Sequence, residues 1–137
     1  MALVVATACT SATSTAEPLP ALPTDQTAPS LHVAGNRLVD ADNRPVVLHG
    51  VNRSGPEFAC HPPSGIGGRV FDGPSDDASV AAIASWTGVN TVRVPLNEDC
   101  WLGLRGADPT VSGPIYQLAI QQYVHTLHRH GLVAILD

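Results

Sequence analysis

Three short apolar runs lie about forty residues apart, and each gap between them holds a stretch of helical periodicity. Pro45–Val51, Thr91–Pro95 and Leu132–Asp137 are the runs. Each is short and rich in Val, Ile and Leu, the pattern of strands buried on both faces. Between them, "DDASVAAIASW" (76–86) places Val80, Ile83, Ala84 and Trp86 on one helical face. The segment from Pro114 to His130 does the same with Tyr116, Leu118, Ile120, Tyr123, Val124 and Leu127. Ser75 reads as the N-cap of the first helix, with Asp76 and Asp77 in its first turn, and Gly88 stops it. Pro114 and Gly131 bracket the second helix. Strand, helix, strand, helix, strand is two successive βαβ units, which require a parallel sheet. In such folds the site is built from loops at the carboxyl ends of the strands. Here those loops are Asn52–Pro74 and Leu96–Gly113, both long and rich in polar residues. Ahead of the first unit, Ala34-Gly35-Asn36 marks the turn of a small hairpin between Leu31–Val33 and Arg37–Val39.

Composition excludes several classes of partner. The chain has 137 residues, 44% hydrophobic and 14% charged, with a net charge of −5. Its seven basic residues are all Arg and are scattered, which argues against nucleic acid and anionic membranes. No apolar stretch approaches the ~20 residues of a membrane span. Residues 1–30 differ from the rest, with abundant Ala, Thr, Ser and Pro and no aromatic. Ala6-Thr7-Ala8 matches a signal-peptidase pattern, and Cys9 after it matches a lipid-anchored cysteine. Residues 1–30 are therefore expected to be a signal- or lipoprotein-like leader and linker, with secretion or attachment to the cell envelope; a plain disordered leader is the alternative. Cys60 and Cys100 fall in the two carboxyl-end loops, where they either pair or remain buried thiols. No C-x-x-C spacing points to zinc. His125, His128 and His130 suit a helix C-terminus better than a metal.

The segments "GVNRSGPEFAC", "FDGPSDDASVAAIASWTGVNTVRVPLNEDCW" and "GLVAILD" together resemble the N-terminal part of glycoside hydrolase family 5, the cellulase family. The likeness runs from about Leu31 to Asp137, and Val-Arg-Val-Pro-Leu is its most specific piece. It implies an α/β fold: an incomplete (β/α)8 TIM barrel, with the first three βα segments preceded by a small β-hairpin. A complete barrel needs about 250 residues. The resemblance implies a retaining β-1,4-glucanase whose acid/base glutamate follows the fourth barrel strand and whose nucleophile follows the seventh. Neither position occurs here. Glu57 and Glu98 are the only glutamates past the leader, and Glu98, between Asn97 and Asp99 after the second strand, does not fit the acid/base motif.

Arg93, flanked by Val92 and Val94, needs a carboxylate partner if buried. By resemblance it supports the nucleophile from inside the site. Asn52, at the end of the first strand, either bonds sugar hydroxyls or caps a turn. Trp101 either stacks on a pyranose ring or covers the core. Glu57, Glu98 and Asp137 are candidates for the cleft lining, and Asp137 resembles the Asp of the family's Asp-Leu-His. The expected partners are a β-glucan and a separate C-terminal chain completing the barrel, with no metal or organic cofactor. A non-catalytic exported lipoprotein or carbohydrate-binding module is the alternative function.

Overall fold

The structure, a computed structural model, describes residues 27–61 and 68–137. Residues 1–26 of the leader and linker, with Ala6–Ala8 and Cys9, lie outside the described residues. Strands β1 (Leu31–Ala34) and β2 (Arg37–Asp40) form an antiparallel hairpin that turns at Gly35, whose φ of 62° favours glycine. Strands β3 (Gly50–Asn52), β4 (Thr91–Val94) and β5 (Val133–Leu136) form a separate parallel sheet in the order β3-β4-β5.

The first apolar run is mostly not a strand. Only Gly50–Asn52 pairs with β4, while Pro45 bridges back to Val39 of the hairpin and Val47 is 65% exposed. The Asn90 side chain explains why. Its Oδ1 accepts the His49 N–H (2.8 Å) and its Nδ2 donates to the Val47 carbonyl (2.9 Å). A side chain thus occupies the backbone groups that a longer ladder would have used.

Helices α1 (Asp77–Ala84) and α3 (Pro114–Arg129) pack against one another, and the buried core joins them to one face of the sheet. Val92 and Val94 are buried there, among Val80 of α1 and Tyr116, Ile120, Tyr123 and Leu127 of α3. Each such fully buried side chain contributes about 1.5–3 kcal/mol. The expectation of strands covered on both faces therefore holds for one face only. Arg93 and Asn52, in register with one another, belong to the other face. Thr91, two residues before Arg93, is buried nonetheless.

Asp76, not Ser75, caps α1: its carboxylate accepts the Ser79 N–H at 3.0 Å, and this bond holds the carboxyl below its usual range. Trp86 lies beyond the helix end and is 53% exposed, so it does not join the apolar face. The other end of α3 is tied down twice. Thr27 donates from its N–H and hydroxyl to the His128 carbonyl (3.0 and 2.9 Å). Asp77 takes bonds from Arg129 (2.6 Å) and His130 (2.9 Å), joining the start of α1 to the end of α3. No helix among the described residues is long and apolar enough to cross a membrane.

Candidate functional site

The carboxyl ends of β3, β4 and β5 carry Asn52, Arg93 and Asp137. Arg93 sits in β4 because its neighbours Val92 and Val94 fill the helix-side core, which turns the residue between them to the open face. Its guanidinium pairs with the carboxylate of Asp137, just past β5. The backbone fixes that partner: the Asp137 N–H donates to Val94 (3.3 Å) and its carbonyl accepts the Leu96 N–H (2.6 Å). Asn52 is exposed on the adjacent strand, opposite Arg93 in register.

Beside this pair lies a cleft of about 390 Å³ lined by Leu96, Asn97, Glu98, Trp101, Leu102 and Asp137. The residues Asn97–Trp101 are not a loop, as the sequence suggested. They open a short helix, α2 (Glu98–Leu102), capped by Asn97, whose Oδ1 accepts the Cys100 N–H at 3.3 Å. Two acids, Glu98 and Asp99, occupy the first turn where the helix dipole favours them. α2 sets Glu98 and Trp101 on the cleft wall. Trp101 is half-buried and meets Tyr116 edge-on, with ring centroids 6.3 Å apart.

Glu57 is not part of the cleft lining. Its carboxylate accepts the N–H of Gly55 (2.8 Å), whose φ of 119° turns the chain back on itself. It closes its own turn. Glu98, by contrast, stands exposed on the cleft.

Asn97 and Tyr116 hold the site together, and neither is among the site residues expected from the sequence. Asn97 Nδ2 donates to the Glu57 carbonyl (3.1 Å), and its N–H donates to the Tyr116 hydroxyl (3.2 Å). That hydroxyl donates in turn to the Pro56 carbonyl (3.1 Å). Asn followed by two acids is a helix-start signal that would have identified Asn97. Cys60 and Cys100 are joined by a disulfide with Cα atoms 5.5 Å apart, which links the loop after β3 to α2. Arg53 anchors the far side of the first loop: it pairs with Asp72, donates to the Pro74 carbonyl (3.1 Å) and stacks over Phe71. Arg53, with help from Ser54, holds the Asp72 carboxyl below its usual range.

Tyr116 makes the site sensitive to alkali. Burial, reinforced by the charge of Glu57 and outweighing the Asn97 N–H, pushes its pKa from 10.0 up to about 12. A phenol whose folded pKa is raised stabilises the fold fully below its unfolded pKa and loses that contribution as pH climbs through the folded one. The loss therefore falls between pH 10 and about 12, and is on the order of 2 kcal/mol at most. Tyr116→Phe is expected to flatten this part of a stability–pH curve from urea titrations. It also lowers stability near neutrality by about 1–2 kcal/mol through the two lost hydrogen bonds. An unchanged alkaline slope in the variant would show that Tyr116 is not its source.

Among solved structures, this chain's fold is similar to part of a β-glucanase from Saccharophagus degradans, solved in complex with cellotetraose. The TM-score is 0.61 and the identity 22%, over 88% of this chain and 32% of that chain. The chain spans about a third of the glucanase. No family model matches the sequence, and no curated protein matches it. The structural likeness shows a shared mixed α/β fold.

Proposed function

We propose that residues 31–137 are the N-terminal part of a glycosidase barrel, its first three βα segments preceded by a β-hairpin, and that they form one wall of a β-1,4-glucan cleft. The observation that carries this reading is the cleft beside Trp101, placed at the carboxyl ends of three parallel strands and next to the Arg93–Asp137 pair. The fold shared with a β-glucanase supports it. Trp101 offers the apolar face of an indole to a pyranose ring, and Glu98 offers an acceptor to its hydroxyls. Arg93 sets a positive charge, paired with Asp137, on the site face, and Asn52 adds a donor and an acceptor beside it.

In the complete enzyme two carboxylates about 5–5.5 Å apart would cleave the bond through a covalent glycosyl-enzyme intermediate. Both belong to later barrel strands, outside residues 31–137. This chain's residues bind and orient the sugar. The Cys60–Cys100 disulfide suits an oxidising compartment, in keeping with secretion or a lipid anchor at Cys9.

Two assays on the purified chain test the reading. The 137-residue chain is expected to release no reducing ends from soluble β-1,4-glucan. It is expected to be retained on the insoluble polymer, with Trp101→Ala weakening retention by up to about tenfold, the equivalent of an aromatic contact of ~0.5–1.5 kcal/mol. Hydrolysis by the monomeric chain alone would contradict the assignment of both catalytic acids to later strands. Retention unaffected by Trp101→Ala would remove the indole from the cleft.

A further inference from the structure

The residues on either side of the disulfide carry metal-binding chemistry of their own. His61 follows Cys60 and Asp99 precedes Cys100. The two sulfurs and one ring nitrogen of His61 lie within 4.8 Å of one another. Ligand atoms around a tetrahedral zinc ion, with bonds of about 2.0–2.3 Å, stand roughly 3.3–3.8 Å apart, so the His61 nitrogen is already near ligand distance of the sulfurs, while the two sulfurs, bonded to one another, have to separate. His61 Nε2 is 3.5 Å from Asp99 Oδ2, the carboxylate–imidazole arrangement that orients a ligating histidine. Both cysteines are fully buried, whereas the His61 and Asp99 side chains are 39% and 51% exposed, which leaves a path for a cation.

The scaffold around the cysteines does not depend on the S–S bond alone. The Cys60 carbonyl accepts the Asp108 N–H (2.9 Å), and the Cys100 carbonyl accepts the Gly113 N–H (2.8 Å). The Cys100 N–H is held by Asn97. None of these ties involves the sulfurs. Sequence spacing argued against zinc because no two cysteines are close along the chain. The fold closes their separation of 40 residues and carries His61 along with Cys60.

We propose that reduction converts the Cys60–Cys100 crosslink into a site for one thiophilic divalent cation of the zinc type, with Cys60, Cys100 and His61 as ligands and Asp99 orienting His61. A phosphine reductant supplies the two electrons. The S–S bond breaks, each sulfur takes a proton, and the phosphine becomes its oxide with oxygen from water. Binding of the cation then displaces both thiol protons to solvent and forms two metal–sulfur bonds, with no change in the metal's oxidation state. The sulfurs move apart to about 3.8 Å, the edge of the tetrahedron. The bound cation then restores the link between the first loop and α2 that reduction removed.

The test uses the full chain with Cys9→Ser, so that the third cysteine cannot contribute, and Co²⁺ as the probe. After phosphine reduction, a titration is expected to saturate at one equivalent with a thiolate-to-cobalt charge-transfer band that zinc abolishes. The oxidised chain should give no such band. Asp99→Asn should weaken binding by about tenfold, and His61→Ala by more. Should the reduced chain lose its near-ultraviolet circular dichroism, recovery of that signal on adding zinc, absent in His61→Ala, also supports the site. Equal cobalt uptake by oxidised and reduced chains, undiminished affinity in His61→Ala, or no recovery at saturating zinc would each overturn it.

Discussion

Replacing Cys60 and Cys100 together by alanine is expected to lower the stability of the fold by about 4 kcal/mol. The disulfide closes a loop of 40 residues. Loop-closure entropy for that length gives ~3.9 kcal/mol at 25 °C, removed from the unfolded chain rather than added to the folded one. A domain of this size has only about 5–15 kcal/mol in total, so the double variant should be largely unfolded at moderate urea concentrations. The effect should be largest in the first loop and α2, because few other contacts join them: Asn97 to Glu57, His61 to Asp99, and the Tyr116 hydroxyl of α3 bridging Pro56 and Asn97. Urea unfolding of the oxidised parent and the double variant measures this. A difference below about 1 kcal/mol, the effect of an average substitution, would mean that these hydrogen bonds suffice.

Gly50→Ala is expected to be the most damaging single substitution in the sheet. Gly50 lies opposite Thr91 in the parallel ladder, and a Cβ there would overlap the Thr91 carbonyl oxygen and crowd its carbonyl carbon. Backbone on both strands would have to give. Thr91 is buried, and Val92 beside it is locked in the core, so β4 cannot retreat. β3 must leave instead, which costs about 3 kcal/mol or more and displaces Asn52 from its place opposite Arg93. Hydrogen exchange reads this directly: the N–H groups of Val51 to Arg53 should lose protection while α3 keeps its own. Uniform protection in the variant would show that β3 tolerates the methyl group.

The parallel sheet, the hairpin and both long helices were legible in the sequence, because each rests on a period of apolar residues that tertiary contacts did not override. Where the reading failed, a single polar side chain had taken over a backbone role. Asn90 bonds the backbone at Val47 and His49 and so shortens the first strand to three residues. Asp76 outcompetes Ser75 as the cap of α1, a choice between two good cap formers that propensity alone does not decide. Asn97 turns an apparent loop into α2.

Of the site, Arg93 could be singled out because an arginine inside an apolar strand demands a partner. Its partner could not: Asp137 lies 44 residues away and is brought near only by β4–β5 pairing. Glu57 and Glu98 look alike in sequence. A glycine with positive φ draws the first inward, and a helix N-terminus holds the second on the cleft.

Titrating the isotope-labelled chain with cellotetraose, and following its amide and indole resonances, decides whether the cleft at the carboxyl ends of the strands takes a β-1,4-glucan. Saturable shifts are expected in the Trp101 indole and in the amides of Leu96, Asn97 and Asp137, with the exposed Trp86 indole unmoved. Trp101 unperturbed at the highest soluble sugar concentration, or shifts spread equally over Trp86 and Trp101, would contradict it.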